Sequence, residues 1–145
     1  AFFGFVGTVE ANLSDSLVMN NLAYSEDGES LGAGISSGAL GSLFAVRNGS
    51  SVVTASISRV LIFGNRAEAG EGGRAYGGGI YNDSESDLTL ERSKVFKNQA
   101  VAGPGGEGIG GGIYSQVAVD LIHSKVFKNF ASTSDDDCFG CQPSD

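Results

Sequence analysis

Several small groups of residues in this chain could do chemistry. Asp83, Glu85 and Asp87 alternate along one short stretch, and alternate side chains of an extended segment share one side. Three carboxylates on one side could hold Ca²⁺, a hard cation that takes oxygen ligands. The stretch lacks the later Gly and Glu of a calcium loop, so a solvated turn is the competing expectation. Asp135, Asp136 and Asp137 form a second acidic run of the same kind. His123 is the only histidine; no serine or cysteine is placed to make a recognisable triad with it, and an outward, non-catalytic position is expected. Cys138 and Cys141 form a C-x-x-C pair. Zinc needs four ligands, which one His cannot complete here, and a redox role lacks its fold context. Two readings stay open for the pair: a local disulfide in an oxidising compartment, or pairing with cysteines of a missing segment. Asn12, Asn48 and Asn82 each begin an Asn-x-Ser sequon, a candidate for glycosylation in a eukaryotic source.

Bulk composition narrows the function classes. Net charge is −8 and the pI about 4.5, which disfavours nucleic acid because phosphate binding needs clustered Lys and Arg. The longest apolar stretch, Ala1 to Val6, falls far short of the ~20 residues of a spanning helix and lacks the basic flank of a signal peptide. No membrane insertion is expected. The chain opens on Ala, which suggests a processed product or a fragment. Glycine is abundant and clustered, with 23 Gly against 2 Pro, as repeated tight corners would require.

The elements that must position these groups come from an internal repeat. A motif ending in asparagine returns at Asn21, Asn65, Asn98 and Asn129, with spacings of 44, 33 and 31. Ser93 to Asn98 and Ser124 to Asn129 both read Ser-Lys-Val-Phe-Lys-Asn, and an alanine follows each asparagine by two, at Ala23, Ala67, Ala100 and Ala131. A second marker precedes each asparagine: Gly4-Phe5, Gly34-Ile35, Gly79-Ile80 and Gly112-Ile113. Aligned on the asparagine, Ala11, Ala55, Leu88 and Val119 make one column, with Leu13, Ile57, Leu90 and Leu121 two residues on. Val18, Ile62, Val95 and Val126 make a third. Two-residue spacing is strand alternation with one face buried, and the polar pair before the third column marks a corner. Three short strands per copy, stacked on copies of themselves, predict an all-β parallel β-helix solenoid of about four coils.

In such a stack the asparagines gain a structural role. Asn tolerates the left-handed backbone of a sharp corner, and equivalent side chains lie about 4.8 Å apart. Asn21, Asn65, Asn98 and Asn129 are therefore expected to form a hydrogen-bonded amide ladder. Copy two carries an insertion over Ser36 to Gly49, and the pattern stops after Ala131. Residues 1–145 are thus one β-helix domain, with 132–145 a cap or tail. The stretches Tyr24 to Ala33, Glu68 to Gly78 and Val101 to Gly111 are expected as loops on one side, forming a mildly acidic flank.

Gly77-Gly78-Gly79-Ile80-Tyr81-Asn82, then Leu88-Thr89-Leu90 and Val95-Phe96-Lys97-Asn98, resembles the repeats of polymorphic outer-membrane proteins and related surface adhesins. The resemblance covers nearly the whole chain and is best from Ala55 to Ala131. It departs from the family's Phe-two residues-Asn pattern, because Phe63, Phe96 and Phe127 lie one place too close to the asparagine. It implies a right-handed parallel β-helix of the pectin-lyase-like type, secreted or displayed at the cell surface, with no required cofactor.

The function expected on these grounds is a non-enzymatic structural or adhesive extracellular module. Its partners would be other subunits or flanking segments of the same protein, and carbohydrate is a further candidate. The alternative is a carbohydrate-active enzyme, a polysaccharide lyase or glycoside hydrolase on the same scaffold, which would need carboxylates with an Arg or Lys along one strand face. Ice binding would need rows of Thr, and the four threonines of the chain form no column.

Overall fold

Alternation along Ser86–Glu91 buries Ser86, Leu88 and Leu90 and leaves Asp87 exposed, the pattern of a strand with one face on a core. The same logic runs through the computed structural model, which describes residues 9–37 and 53–142. Eighteen strands are present among the described residues. The first turn of the chain holds β1 (Val9–Ser14), β2 (Leu17–Met19), β3 (Leu22–Ser25), β4 (Glu29–Leu31) and β5 (Ile35–Ser37). The second holds β6 (Val53–Ser58), β7 (Leu61–Phe63), β8 (Arg66–Ala69), β9 (Arg74–Tyr76) and β10 (Ile80–Asn82). Then come β11 (Ser86–Glu91), β12 (Lys94–Phe96), β13 (Gln99–Ala102), β14 (Glu107–Ile109) and β15 (Ile113–Ile122), followed by β16 (Lys125–Phe127), β17 (Phe130–Ala131) and β18 (Cys138–Cys141).

Every strand pairing is parallel, and each joins equivalent strands of successive turns. The orders are β1-β6-β11-β15-β10-β5 with β18 on β15, then β16-β12-β7-β2, β17-β13-β8-β3 and β14-β9-β4. The chain is an all-β, β-helix-like solenoid with four stacked sheets. Registers place Ala11, Ala55, Leu88 and Val119 side by side, and likewise Leu13, Ile57, Leu90 and Leu121. Val18, Ile62, Val95 and Val126 align in the next sheet. These columns build the main apolar core with Ile80 and Ile113. A fully buried side chain of this size contributes about 1.5–3 kcal/mol.

The turn contains more strands than the three expected. The stretches read as loops carry β3, β4 and their equivalents, which close over a second core of Ala67, Ala69, Ala75, Ala100 and Ala131. These side chains are small, so the chain comes close to itself there without any long apolar run. The insertion differs as well: Ser36 and Ser37 belong to β5, while the rest of Ser36 to Gly49, like Gly4-Phe5 and the sequon at Asn48, lies outside the described residues.

The asparagines bond to one another along the stack. Asn21 donates its backbone N–H and its Nδ2 to Asn65 Oδ1 at 3.1 and 2.9 Å. Asn65 donates in the same way to Asn98, and Asn98 to Asn129, at 2.9–3.0 Å. The second Nδ2 hydrogens of Asn65, Asn98 and Asn129 go to the carbonyls of Val18, Ile62 and Val95. Asn65 and Asn98 are fully buried, and their polar atoms are satisfied by this arrangement. The left-handed residue is not the asparagine itself but the one before it: Asn20, Gly64, Lys97 and Lys128 have φ of 55–67°. That leaves the asparagine free to point inward after the corner. The Gly-Ile marker serves the same row, since a Cβ on Gly79 would stand 2.6 Å from Gly112 O and 3.0 Å from Asn98 Nδ2. Only glycine lets the amides pack there.

Candidate functional site

The predicted acidic cluster does not come together. Residues 83–85 form a turn rather than an extended strand, in which Asp83 Oδ1 accepts from the Glu85 N–H at 2.9 Å and the Ser86 hydroxyl at 3.3 Å. That local turn sends the carboxylates of Asp83, Glu85 and Asp87 apart, and no group of three metal-ligating side chains occurs among the described residues. His123 is an exposed corner residue with φ 50°, equivalent to Asp15, Arg59 and Arg92. Asp136 and Asp137 accept from the chain's own amides: Ala131 N–H to Asp136, and Asn129 N–H and Nδ2 to Asp137. Cys138 and Cys141 are disulfide-bonded to each other.

Two of the sequons meet opposite fates. Asn12 is exposed on β1. Asn82 is fully buried, its Nδ2 donating to Ser86 O at 2.7 Å and Ser115 Oγ at 3.0 Å. A glycan cannot attach to an amide nitrogen held inside the core, so Asn82 is corrected from a candidate to a structural residue.

Two outward faces carry charged and aromatic groups in rows. On one, register stacks Glu29, Arg74 and Glu107. The guanidinium lies 3.7 Å from Glu29 and 3.6 Å from Glu107, and the Tyr76 hydroxyl reaches Glu107 at 3.3 Å. Tyr76, Tyr81 and Phe139 stack on Tyr114 at 4.6–5.6 Å between ring centroids. Burial, with the Asp83 carboxylate second, pushes the Tyr81 hydroxyl up to about 12. Rings stacked this way show mostly edges to solvent, so the row fixes the face rather than offering an open ring plane.

The other face lies on the sheet of β2, β7, β12 and β16. Its inward residues are the Val18–Val126 column, so its outward columns are Leu17, Leu61, Lys94, Lys125 and Met19, Phe63, Phe96, Phe127. Phe63 stacks on Phe96 at 5.1 Å, and Phe96 on Phe127 at 5.4 Å. Lys97 and Lys128 stand at the adjoining corner, the Lys97 N–H donating to Lys128 O at 3.1 Å. These are all four lysines of a chain with net charge −8, and all four are exposed. Among the described residues none takes part in an ion pair. Like charges opposite one another on neighbouring strands are unfavourable; two unit charges about 5 Å apart repel by roughly 0.8 kcal/mol even in water. Lysines on the edge strand β16 can discourage sheet-to-sheet pairing, but β12 is an interior strand and its lysines are not explained that way. The signal was present in the repeated Ser-Lys-Val-Phe-Lys-Asn, whose period hid its composition.

No helix among the described residues is long and apolar enough to cross a membrane. No family model matches the chain, and neither a curated protein nor a solved structure does.

Proposed function

We propose that the chain is a right-handed parallel β-helix akin to the repeats of polymorphic outer-membrane proteins and surface adhesins, working outside the cell or at its surface as a structural or adhesive module without enzymatic activity. The observation that carries this reading is the register: equivalent residues of successive turns lie side by side, so the surface consists of rows. Handedness follows from the strong preference of parallel crossovers for the right-handed sense. The Asn21–Asn129 row serves as the asparagine ladder of the stack, and the 132–142 stretch as its cap. A disulfide favours an oxidising compartment. Flanking segments of the same protein or other subunits are the expected partners, and no cofactor is required.

The carbohydrate-active alternative keeps one observation in its favour, the Glu29–Arg74–Glu107 row with Tyr76 beside it. One experiment separates the two. Beads coated with the chain are tested for retention on cell and polysaccharide surfaces, while the same polysaccharides are assayed for new reducing ends and unsaturated products. Retention without product release is expected. Product release that disappears in Glu107→Gln would overturn the proposal in favour of the enzyme.

A further inference from the structure

We infer that the outward face of the β2, β7, β12 and β16 sheet is a docking surface for an anionic lipid bilayer. Every outward side chain of that sheet is apolar or a lysine. Leu17 and Met19 are 62% and 42% exposed at one end, and the stacked Phe63, Phe96 and Phe127 run from there between the lysines. A binding face for a neutral or hydroxyl-rich ligand needs acceptors as well as donors, and the outward columns of this sheet carry none, Asn20 standing at the corner it shares with Lys97 and Lys128. A charged lipid surface asks for the opposite: cations at headgroup depth and apolar groups beside them. Lysine suits that place, because its apolar stem can lie along the phenylalanines while the ammonium reaches the headgroups.

Charge supports the same occupant. All four lysines of an acidic chain gather on this face, while Arg59, Arg66, Arg74 and Arg92 elsewhere each stand against a carboxylate. The Lys94–Lys125 and Lys97–Lys128 pairs are side by side, with no acidic partner among the described residues, and lipid headgroups would supply the counter-charge.

The test is co-sedimentation of the whole 145-residue chain with phosphatidylcholine vesicles, with and without roughly one-third phosphatidylserine. Binding is expected only to the anionic vesicles and should weaken as salt rises. Each Lys→Gln substitution at 94, 97, 125 or 128 should lower partitioning about five-fold, and Lys94→Gln with Lys125→Gln about 25-fold. Lys→Arg should keep it, and Arg66→Gln on the next sheet should leave it unchanged. The four lysines are exposed, so circular dichroism and the unfolding midpoint of their variants should stay as in the parent. Equal binding to both vesicle types, no binding to either, insensitivity to the lysine substitutions, or binding to dextran sulfate but not to vesicles would each overturn the inference.

Discussion

The first and last turns carry the same asparagine motif and finish differently. At the first turn Asn21 is exposed, and Leu17, Leu22 and Tyr24 are 62%, 65% and 60% exposed. An open cavity of about 580 Å³ reaches the core between Ala11, Leu13, Val18, Ile35 and Ile57. At the last turn Asn129 is buried, and both its N–H and its Nδ2 donate to Asp137 Oδ1 at 2.9 and 3.0 Å. β18 then lies along β15, with Cys138 beside Ile113 and both cysteines packed on the core. An asparagine both donates and accepts, so it passes the row on; an ionised aspartate only accepts, so it ends it. A row of identical amides therefore has a direction, and its two ends call for different residues.

The largest effect should come from the middle of the row. Asn98→Ala strips the acceptor from both Asn65 donors and the Nδ2 donor from Asn129 Oδ1 and Ile62 O, while the backbone N–H to Asn129 Oδ1 stays; it should cost roughly 3–5 kcal/mol in urea unfolding. Asn21→Ala removes only the Nδ2 donor, at an exposed position, and keeps the backbone N–H to Asn65; it should cost under about 1 kcal/mol. Similar losses for the two would mean that burial does not set the row's strength. Next in size is the closed end. Asp137→Ala leaves the Asn129 N–H unpartnered and its Nδ2 with only the Val95 and Phe127 carbonyls, and should cost about 2–3 kcal/mol, while Asp137→Asn keeps an acceptor oxygen and should cost less.

Much of the fold was legible in the sequence because its columns are large and apolar. Leu13, Ile57, Leu90 and Leu121 announce themselves by a spacing of two from the preceding column, and their register is the one the asparagine alignment implies. The β4, β9 and β14 sheet was not legible, since its core is alanine, serine and glycine, and small residues leave no hydrophobic period. Ala75 and Gly108, side by side in register, carry no signal of a buried strand by themselves. The left-handed corners at Lys97 and Lys128 were hidden for another reason: lysine has no preference for that backbone, and the strands on either side impose it. Of the candidate acids, Asp83 turned out to close a local turn, which the alternation of Asp83, Glu85 and Asp87 cannot distinguish from a strand. The lysine face was hidden because four charges divided between two turns look like repetition until the register sets them side by side.

Smaller differences lie on the surface. Tyr81 sits against Tyr114, and its hydroxyl is raised from 10.0 to about 12. A raised folded value means that this group's contribution is fully present below pH 10 and is lost as pH rises through about 12. Ultraviolet titration should therefore show Tyr81 ionising late, with Tyr76 raised by burial as well, and Tyr81→Phe should flatten the fall in stability across that window. The smallest effect is expected at the Asp15–Arg59 pair of the first corner. The hydrogen bonds from Arg59 hold the Asp15 carboxyl below its usual range, yet both side chains are solvent-exposed. Exposed pairs add little, so Asp15→Asn should leave the urea midpoint at neutral pH within error.

Amide hydrogen exchange tests most directly whether the stack is held by a directed row of amides that Asp137 closes. The N–H groups of Asn65, Asn98 and Asn129 should all be protected, because each donates to a side-chain oxygen of the next turn, buried for the first two and part-buried at Asp137. In Asp137→Ala, protection should collapse at Asn129, weaken at Asn98 and remain at Asn65. Protection at Asn129 that survives the loss of Asp137, or that is absent in the parent chain, would contradict the account.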